Sequence, residues 1–249
     1  MLSIVLDHPL DNPASSALAG PHAALAERNG RAGRYRPDVS PFAALPLGPD
    51  ETDWAHLAAL VGEGAEVLLT GPARRIPPPD WEQVMDLSGV QMDGSGLDVR
   101  PDPDAAVLGE ADVPEMLDLV ARTRPGPFRS GTRLMGTYLG IRRGGVLVAM
   151  AGERMHPPGW SEISAVCTDP AYRGQSLATR LIRAVGAVIR EHGDVPFLHA
   201  AEHNTGAIRL YEHLGFEVRR KATFTVLRTP SATTPAPPER LESHVPVVG

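Results

Sequence analysis

The sequence of 249 residues is poor in the features that define several classes of protein. Cys167 is its only cysteine, which excludes an intrachain disulfide and a cysteine-based metal cluster and makes a reducing, cytoplasmic setting the expectation. No run of 18 apolar residues occurs, so we expect no membrane-spanning helix and no membrane partner. Acidic residues outnumber basic ones by 30 to 24, which argues against a nucleic-acid partner.

Apolar residues make up 42% of the chain, which is enough to bury a sizeable core. Turn-forming residues are dense between positions 93 and 104, where they indicate a linker between two halves. The last segment is rich in proline, serine, threonine and alanine, a composition typical of a disordered tail. We therefore predict an N-terminal unit over residues 1–95, a second domain over 96–228 and a tail over 229–249.

The second half alternates between helical and strand-like patterns. Asp112 and Pro114 are placed to begin a helix, and the turn at 143–145 separates two strand-like runs. Together these patterns predict a mixed α/β (α+β) domain with a central mixed sheet flanked by helices. The further elements predicted are strands at 138–142, 146–152, 161–168, 195–201, 216–220 and 222–227 and helices at 176–192 and 205–214.

The junction between the strand at 161–168 and the helix after it could bind an anion. Backbone N–H groups at a helix start have no partner within the helix and, with the helix dipole, attract a group such as a pyrophosphate. Gly174 would let the backbone approach the phosphates, Arg173 adds a positive charge, and Ala178 keeps the first turn small. An ordinary strand-to-helix turn with a surface arginine explains the same residues equally well.

A second motif runs from Asn204 to Phe216. Ala207 and Tyr211 are four residues apart, so they share one face of the predicted helix, with Asn204 at its start. Tyr211 would face the same groove as the Gly174 loop if the two helices lie side by side. A core aromatic side chain and a plain helix cap are the alternatives for Tyr211 and Asn204.

Taken together, the two motifs resemble the GNAT superfamily of N-acetyltransferases over about residues 100–228. The family's phosphate loop reads Arg/Gln-x-x-Gly-x-Gly/Ala, and its second motif, Asn-x-x-Ala-x-x-Leu-Tyr-x-x-x-Gly-Phe, matches from Asn204 to Phe216 at every defined position. The stretch 162–168 is similar to the glycine-N-acyltransferase-like branch of that family. Ser176 departs from the loop pattern, because it stands where glycine is usual and would strain a positive φ.

The resemblance implies an acyl-CoA-dependent N-acyltransferase that uses acetyl-CoA as cosubstrate, without a metal. The acyl group would pass to a primary amine by direct attack in a ternary complex, and Tyr211 would protonate the departing thiolate. The expected acceptor is a small-molecule or peptide amine, and both a monomer and a homodimer remain open. The cosubstrate would be held by Val166, Cys167, Thr168, Arg173, Gly174, Gln175, Ser176, Leu177, Ala178, Asn204 and Ala207.

The attacking amine must be uncharged, so a base is needed. Glu162 is the first candidate because it begins the strand that leads to the thioester site, although a solvated glutamate at a strand edge is an equal alternative. Glu153 and Glu202 are weaker candidates. Cys167 is interpreted as a buried small apolar residue rather than a nucleophile.

Two histidines, His199 and His203, flank the end of the predicted strand at 195–201 and could face the substrate. Metal binding by this pair is not expected, since no third ligand lies at a typical spacing. The alternative to an enzyme is a non-catalytic acyl-CoA-binding regulatory domain. The intact pattern from Asn204 to Tyr211 favours the enzyme, because a binding module needs no proton donor there.

The first half has no phosphate loop of its own. Its patterns predict a helix at 53–62, a strand at 66–70 and a second helix at 81–87, followed by residues 88–92. This order is similar to that of the second half and aligns Met85 with Tyr211. We interpret residues 1–95 as a degenerate GNAT-like repeat, with chance similarity as the alternative, and in either case as a cover for the acceptor side of the cleft.

Overall fold

A computed structural model describes residues 8–72 and 76–231, within which the chain forms five α-helices and one sheet of eleven strands. None of the helices in these ranges is both long and apolar enough to cross a membrane. The helices are α1 (Pro13–Ala19), α2 (Glu51–Val61), α3 (Val113–Thr123), α4 (Leu177–Glu191) and α5 (Thr205–His213). The strands are β1 (Ala26–Asn29), β2 (Ala32–Tyr35), β3 (Phe42–Ala44), β4 (Glu66–Gly71), β5 (Glu82–Asp93), β6 (Ala105–Val107), β7 (Tyr138–Arg143), β8 (Val146–Glu153), β9 (Trp160–Thr168), β10 (Val195–Ala201) and β11 (Glu217–Arg228).

The two halves of the chain share this sheet, whose strand order is β1-β2-β3-β4-β11-β5-β10-β9-β8-β7-β6. The last strand of the first half, β5, lies between the two last strands of the second half. It pairs antiparallel with β10, where Gly89 faces Ala201, and with β11, where Ser88 faces Thr223. Each half therefore depends on the other for the hydrogen bonds of its final strand.

The order of strands is the same in both halves. Strand β3 is antiparallel to β2 and parallel to β4, just as β9 is antiparallel to β8 and parallel to β10. One helix, α2 or α4, precedes the last of these strands in each half. This arrangement supports the interpretation of a repeat, which stays a prediction together with the boundaries at residues 95 and 228.

The elements predicted for the second half are confirmed in kind from α3 to α5, within a residue or two at most ends. Helix α4 packs its apolar stripe on the sheet and fully buries Leu181, Ile182, Val185 and Ile189. Burying side chains of this size contributes about 1.5–3 kcal/mol each, so this stripe fixes the helix on the sheet. The start of α4 is thereby held at the end of β9.

Two predictions are wrong in detail. Residues 81–87 do not form a helix. Residues 82–87 begin β5 instead, because their backbone pairs with β11 and this pairing overrides the helix propensity of the segment. The strands predicted at 216–220 and 222–227 are one strand, β11, which absorbs its irregularity in a register shift between Val218 and Arg220 instead of a turn. Thr229, the first residue of the predicted tail, is buried, and its N–H donates to the Ala65 carbonyl. Residues 232–249 of that tail lie outside the described residues.

The connection between the halves packs tightly against the second half. The Gly94 N–H donates to the Pro196 carbonyl. A Cβ on Gly96 would come within 2.7 Å of the Gly215 carbonyl oxygen, so glycine is required by this close approach. The predicted linker at 93–104 is therefore an ordered connection that fixes β5 beside α5 and β11.

Candidate active site

The centre of the site is an irregularity in β9. Ala165 has a φ of 51°, and the pairing of β8 with β9 shifts between Met150–Cys167 and Gly152–Ser164, which marks a β-bulge. The parallel pairing of β9 with β10 ends where Glu162 faces Phe197. Beyond that pair the two strands separate and leave a gap between their edges.

The loop at the end of β9 leads into α4 with two residues in the left-handed region. Gly174 has a φ of 77° and open space around its Cα, and Ser176 has a φ of 56°. Ser176 thus adopts a positive φ, which strains a serine, and its side chain makes no capping bond to the helix. The first helical bond runs from the Arg180 N–H to the Ser176 carbonyl, which leaves the earlier amides of the turn pointing outward.

Helix α5 brings the second motif to the same gap. The Asn204 side chain caps the helix by accepting from the Ala207 N–H at 3.2 Å. Tyr211 is partly buried, and its ring packs edge-on against Phe216 with 5.9 Å between centroids. Burial raises the pKa of the Tyr211 phenol above its usual value of 10.

One cavity of about 990 Å³ joins the gap between the strands, the loop and α5. Tyr211 lines it, and so do ten of the eleven residues predicted to bind the cosubstrate; Gln175 is not among the lining residues. The cavity is of the size typical of small-molecule sites, about 300–1,000 Å³. Its lining residues from the cosubstrate prediction are Val166, Cys167, Thr168, Arg173, Gly174, Ser176, Leu177, Ala178, Asn204 and Ala207.

Glu162 lies directly behind the cavity wall in a buried ionic network. Arg154 donates from Nε and Nη2 to its two carboxylate oxygens at 2.8 and 2.6 Å. The Nδ1 of His199 lies 2.7 Å from Glu162 Oε1, and the His199 Nε2 lies 3.2 Å from the Gln91 amide nitrogen. Because the amide nitrogen only donates, it pairs with a His199 Nε2 that accepts, which leaves Nδ1 to donate to Glu162. Arg154 and His199 line the cavity, whereas Glu162 does not.

Glu162 has no exposed surface, so the alternative of a solvated strand-edge glutamate is wrong. Burial alone would raise its pKa, but the charge and hydrogen bonds of Arg154 outweigh burial and hold the pKa well below its usual range. A carboxylate with a lowered pKa and both oxygens engaged is a weak base. Its direct role in taking a proton from the amine stays a prediction.

The weaker base candidates lie elsewhere. Glu153 is buried and accepts from the Ser161 hydroxyl at 2.7 Å, and Glu202 is exposed and paired with Lys221. Cys167 is buried, as expected of a small apolar residue, and burial raises the pKa of its thiol. A raised thiol pKa disfavours the nucleophilic thiolate.

Several lining residues are not among the predicted site residues. Phe42, Leu68, Met85 and Leu87 come from the first half, and Phe224 comes from β11. Their strands reach the cavity through pairings between residues far apart in sequence, for which the sequence carries no local signal. Among the described residues, no group of three His, Cys, Asp or Glu side chains is placed to hold a metal ion.

Comparisons with known proteins agree with this geometry. The family described as FR47-like protein matches residues 138–225. The N-alpha-acetyltransferase RimI of Mycobacterium tuberculosis is 37% identical over 83 residues, which cover 32% of this chain and 51% of that protein. The chain thus spans about half the length of that relative.

Two solved structures extend over nearly the whole chain. A GNAT-family protein from Novosphingobium aromaticivorans is 43% identical, with a TM-score of 0.83, and the alignment covers 90% of this chain and 100% of that one. A GCN5-related N-acetyltransferase from Kribbella flavida shares the fold, with a TM-score of 0.60 at 19% identity over 87% of this chain and 94% of that one. The chain belongs to the GNAT family of acetyltransferases.

Proposed function

We propose that this protein is an acyl-CoA-dependent N-acyltransferase that takes the acyl group from acetyl-CoA and passes it to a primary amine by direct attack in a ternary complex. The observation that carries the proposal is the convergence of the β9 bulge, the start of α4 and Tyr211 on one cavity. Two motifs that are separate in sequence thus form one site. Family membership supports the same reaction class.

The residues present fit the cosubstrate. The outward amides at the start of α4, the open space at Gly174 and the charge of Arg173 suit a pyrophosphate. The Thr168 hydroxyl oxygen is buried at the cavity and has no hydrogen-bond partner in the described part of the chain, which leaves it available to the pantetheine arm. Acetyl-CoA supplies an activated thioester when bound.

Groups of the protein then orient the thioester and protonate the departing thiolate. An N–H of β9 near the bulge polarises the thioester carbonyl, since the separation from β10 leaves that edge without a partner strand. Tyr211 gives its proton to the departing thiolate, whose pKa lies near that of an ordinary thiol, about 8.5. Alignment of amine and thioester supplies much of the rate gain, because it removes the entropy cost of their meeting.

Proton loss from the amine is assigned to His199 Nε2, which exchanges its contact with the Gln91 amide for the proton of the amine, and Glu162 positions the ring through Nδ1. His199 lies at the cavity wall and holds a 2.7 Å contact to Glu162, which in turn is neutralised by Arg154. Such a network stabilises the ring in one orientation. The role first given to Glu162 thus becomes an indirect one in this proposal.

An α-amine is the favoured acceptor. The name of the M. tuberculosis relative refers to N-alpha acetylation. An α-amino group has a pKa of about 7.7–8.0, against about 10.4 for a lysine side chain, so a useful fraction is uncharged at neutral pH. This suits a site whose buried carboxylate is already neutralised by an arginine.

Calorimetric titration with acetyl-CoA, followed by an assay of thiol release with α-amines, tests the proposal. We expect micromolar binding that Arg173→Ala weakens, and thiol release that depends on the amine. Binding of acetyl-CoA without transfer to any amine would instead support a non-catalytic acyl-CoA-binding domain. The absence of binding at millimolar acetyl-CoA would refute both functions.

A further inference from the structure

We infer that the first half of the chain supplies an apolar subsite for the acceptor, which selects α-amines that carry a bulky apolar or aromatic side chain. The inference rests on the proposed transferase function and adds the class of substrate. We call this subsite the acceptor patch, and it consists of Phe42, Leu68, Met85, Leu87 and Phe224.

The acceptor patch forms one row across four strands. Directly opposed residues of neighbouring strands project from the same face of a sheet. Phe42 on β3 faces Leu68 on β4, and Phe224 on β11 faces Leu87 on β5. Val226 faces both Leu68 and Met85, so all five patch residues share one face.

Two residues of the acceptor patch lie beside His199 and Arg154. The Phe224 ring lies 5.4 Å from the His199 ring, and Phe42 lies 6.5 Å from Phe224, measured between centroids. The Arg154 guanidinium lies 4.9 Å above the Phe42 ring. An amine placed at His199 would therefore extend its substituent over aromatic and aliphatic side chains.

The charges of the cavity exclude a cationic substituent. Among the described residues that line it there is no aspartate and no glutamate, whereas Arg124, Arg154 and Arg173 are present. The carboxylate nearest to the wall, Glu162, is already neutralised by Arg154. A second ammonium group would lose hydration here without gaining a partner.

Met85 allows a clean test, because 43% of this large apolar side chain is exposed in the absence of substrate. Its neighbour Val84 is 41% exposed and does not line the cavity. Met85→Glu therefore places a carboxylate in the acceptor patch, and Val84→Glu places the same charge beside it. Neither variant disturbs a buried side chain.

The experiment compares phenylalaninamide, glycinamide and lysinamide as acceptors with saturating acetyl-CoA, and follows thiol release. We expect kcat/KM for phenylalaninamide to exceed that of the other two by about tenfold or more. Met85→Glu should lower kcat/KM for phenylalaninamide by about tenfold. The same variant should raise kcat/KM for lysinamide, because the new carboxylate pairs with the second ammonium group. Val84→Glu should leave all three values unchanged.

Acetyl-CoA binding, measured by calorimetry on the same variants, separates the two proposals. Equal rates for the three amines, or a preference for lysinamide in the unaltered protein, would overturn the acceptor patch while the transferase stands. Equal effects of Met85→Glu and Val84→Glu would overturn it too. Bound acetyl-CoA with no thiol release for any amine would overturn the transferase and the inference together.

Discussion

The starts of helices α2 and α4 occupy the same position in the two halves, but only the start of α2 is capped by side chains. At α2, Asp50 accepts from the Asp53 N–H at 2.9 Å, and Asp53 accepts from the Asp50 N–H at 2.9 Å, so a capping box fills the helix start. Arg31 donates to both carboxylates. At α4, Ser176 makes no side-chain capping bond and the loop before it is open.

This difference fits the proposal of an anion site at the start of α4 and of none at the start of α2. Two carboxylates at the start of α2 satisfy the free amides and the helix dipole, and they would repel a phosphate. The start of α4 leaves its free amides and its helix dipole without such a side-chain partner. The capping box stabilises the start of α2, whereas the uncapped start of α4 suits the proposed ligand.

The largest expected effect comes from Tyr211. This residue lies on α5, between β10 and β11, whereas the described residues between β4 and β5 in the first half form no helix. Tyr211→Phe removes the proposed proton donor and should lower kcat by about a hundredfold, the size typical of a lost general acid. Acetyl-CoA affinity should stay unchanged, since the ring remains. Steady-state kinetics and calorimetry measure the two quantities.

A matched control is Tyr138→Phe. Tyr138 is fully buried outside the cavity, and its hydroxyl has no hydrogen-bond partner among the described residues. Removing that hydroxyl should leave kcat as it is. If Tyr211→Phe behaves like this control, Tyr211 is a core aromatic residue and not a proton donor.

The second effect concerns the junction between the halves, where His22 stacks on His156 with 4.8 Å between ring centroids. Burial and the nearby His156 lower the pKa of His22 from 6.5 to about 4. The unfolded chain takes up this proton below pH 6.5 and the folded protein only near pH 4. The free energy of unfolding should therefore fall by about 3 kcal/mol in total as the pH drops through that window.

Urea denaturation between pH 7 and pH 4 measures this slope, and His22→Gln should flatten it because glutamine does not titrate. Glu153 affects the free energy of unfolding at a lower pH than His22 does. Burial would raise its pKa, but hydrogen bonds from His156 and Ser161 lower it to about 2, so its contribution is lost only between about pH 4.5 and 2. An unchanged slope in His22→Gln would show that other groups carry the loss.

The third effect is expected from a substitution that gives the start of α4 an acidic side chain, as at the start of α2. Ser176→Asp places a carboxylate beside the proposed pyrophosphate site and should weaken acetyl-CoA binding by about tenfold through charge repulsion. Ser176→Asn has nearly the same shape without the charge and should bind normally. Asp50→Ser, at the start of α2, should leave the affinity unchanged. Equal affinities for Asp and Asn at position 176 would place the phosphates elsewhere.

The sequence predicted much of this site because its motifs are local. The pattern from Asn204 to Phe216 and the loop at 168–178 each specify a turn, a helix start and a side chain within one short segment. Ser176, the departure from the motif that the sequence analysis marked as strained at a positive φ, does have a φ of 56°. What a local motif specifies can be predicted without knowing the sheet.

The remaining parts depend on contacts between distant residues. Segment 81–87 has the composition of a helix, yet β11 pairs with it and makes it a strand. The bulge at Ala165 carries no glycine that would have marked it. Met85 was aligned with Tyr211 through an incorrect helix, although both do line the cavity. Pairing across the sheet, which sequence patterns do not report, decided all three.

The smallest expected effect is the cost of the serine at the start of α4. A non-glycine residue in the left-handed region costs about 1–2 kcal/mol, which a glycine avoids. Glycine in turn costs about 0.5–1 kcal/mol, because it has more conformational freedom to lose on folding. Ser176→Gly should therefore raise the free energy of unfolding by about 0.5 kcal/mol, measured by urea denaturation. A loss of stability would mean that the Ser176 hydroxyl makes a compensating interaction. In that case the departure from the family's glycine is an adaptation of this loop and not a relaxed constraint.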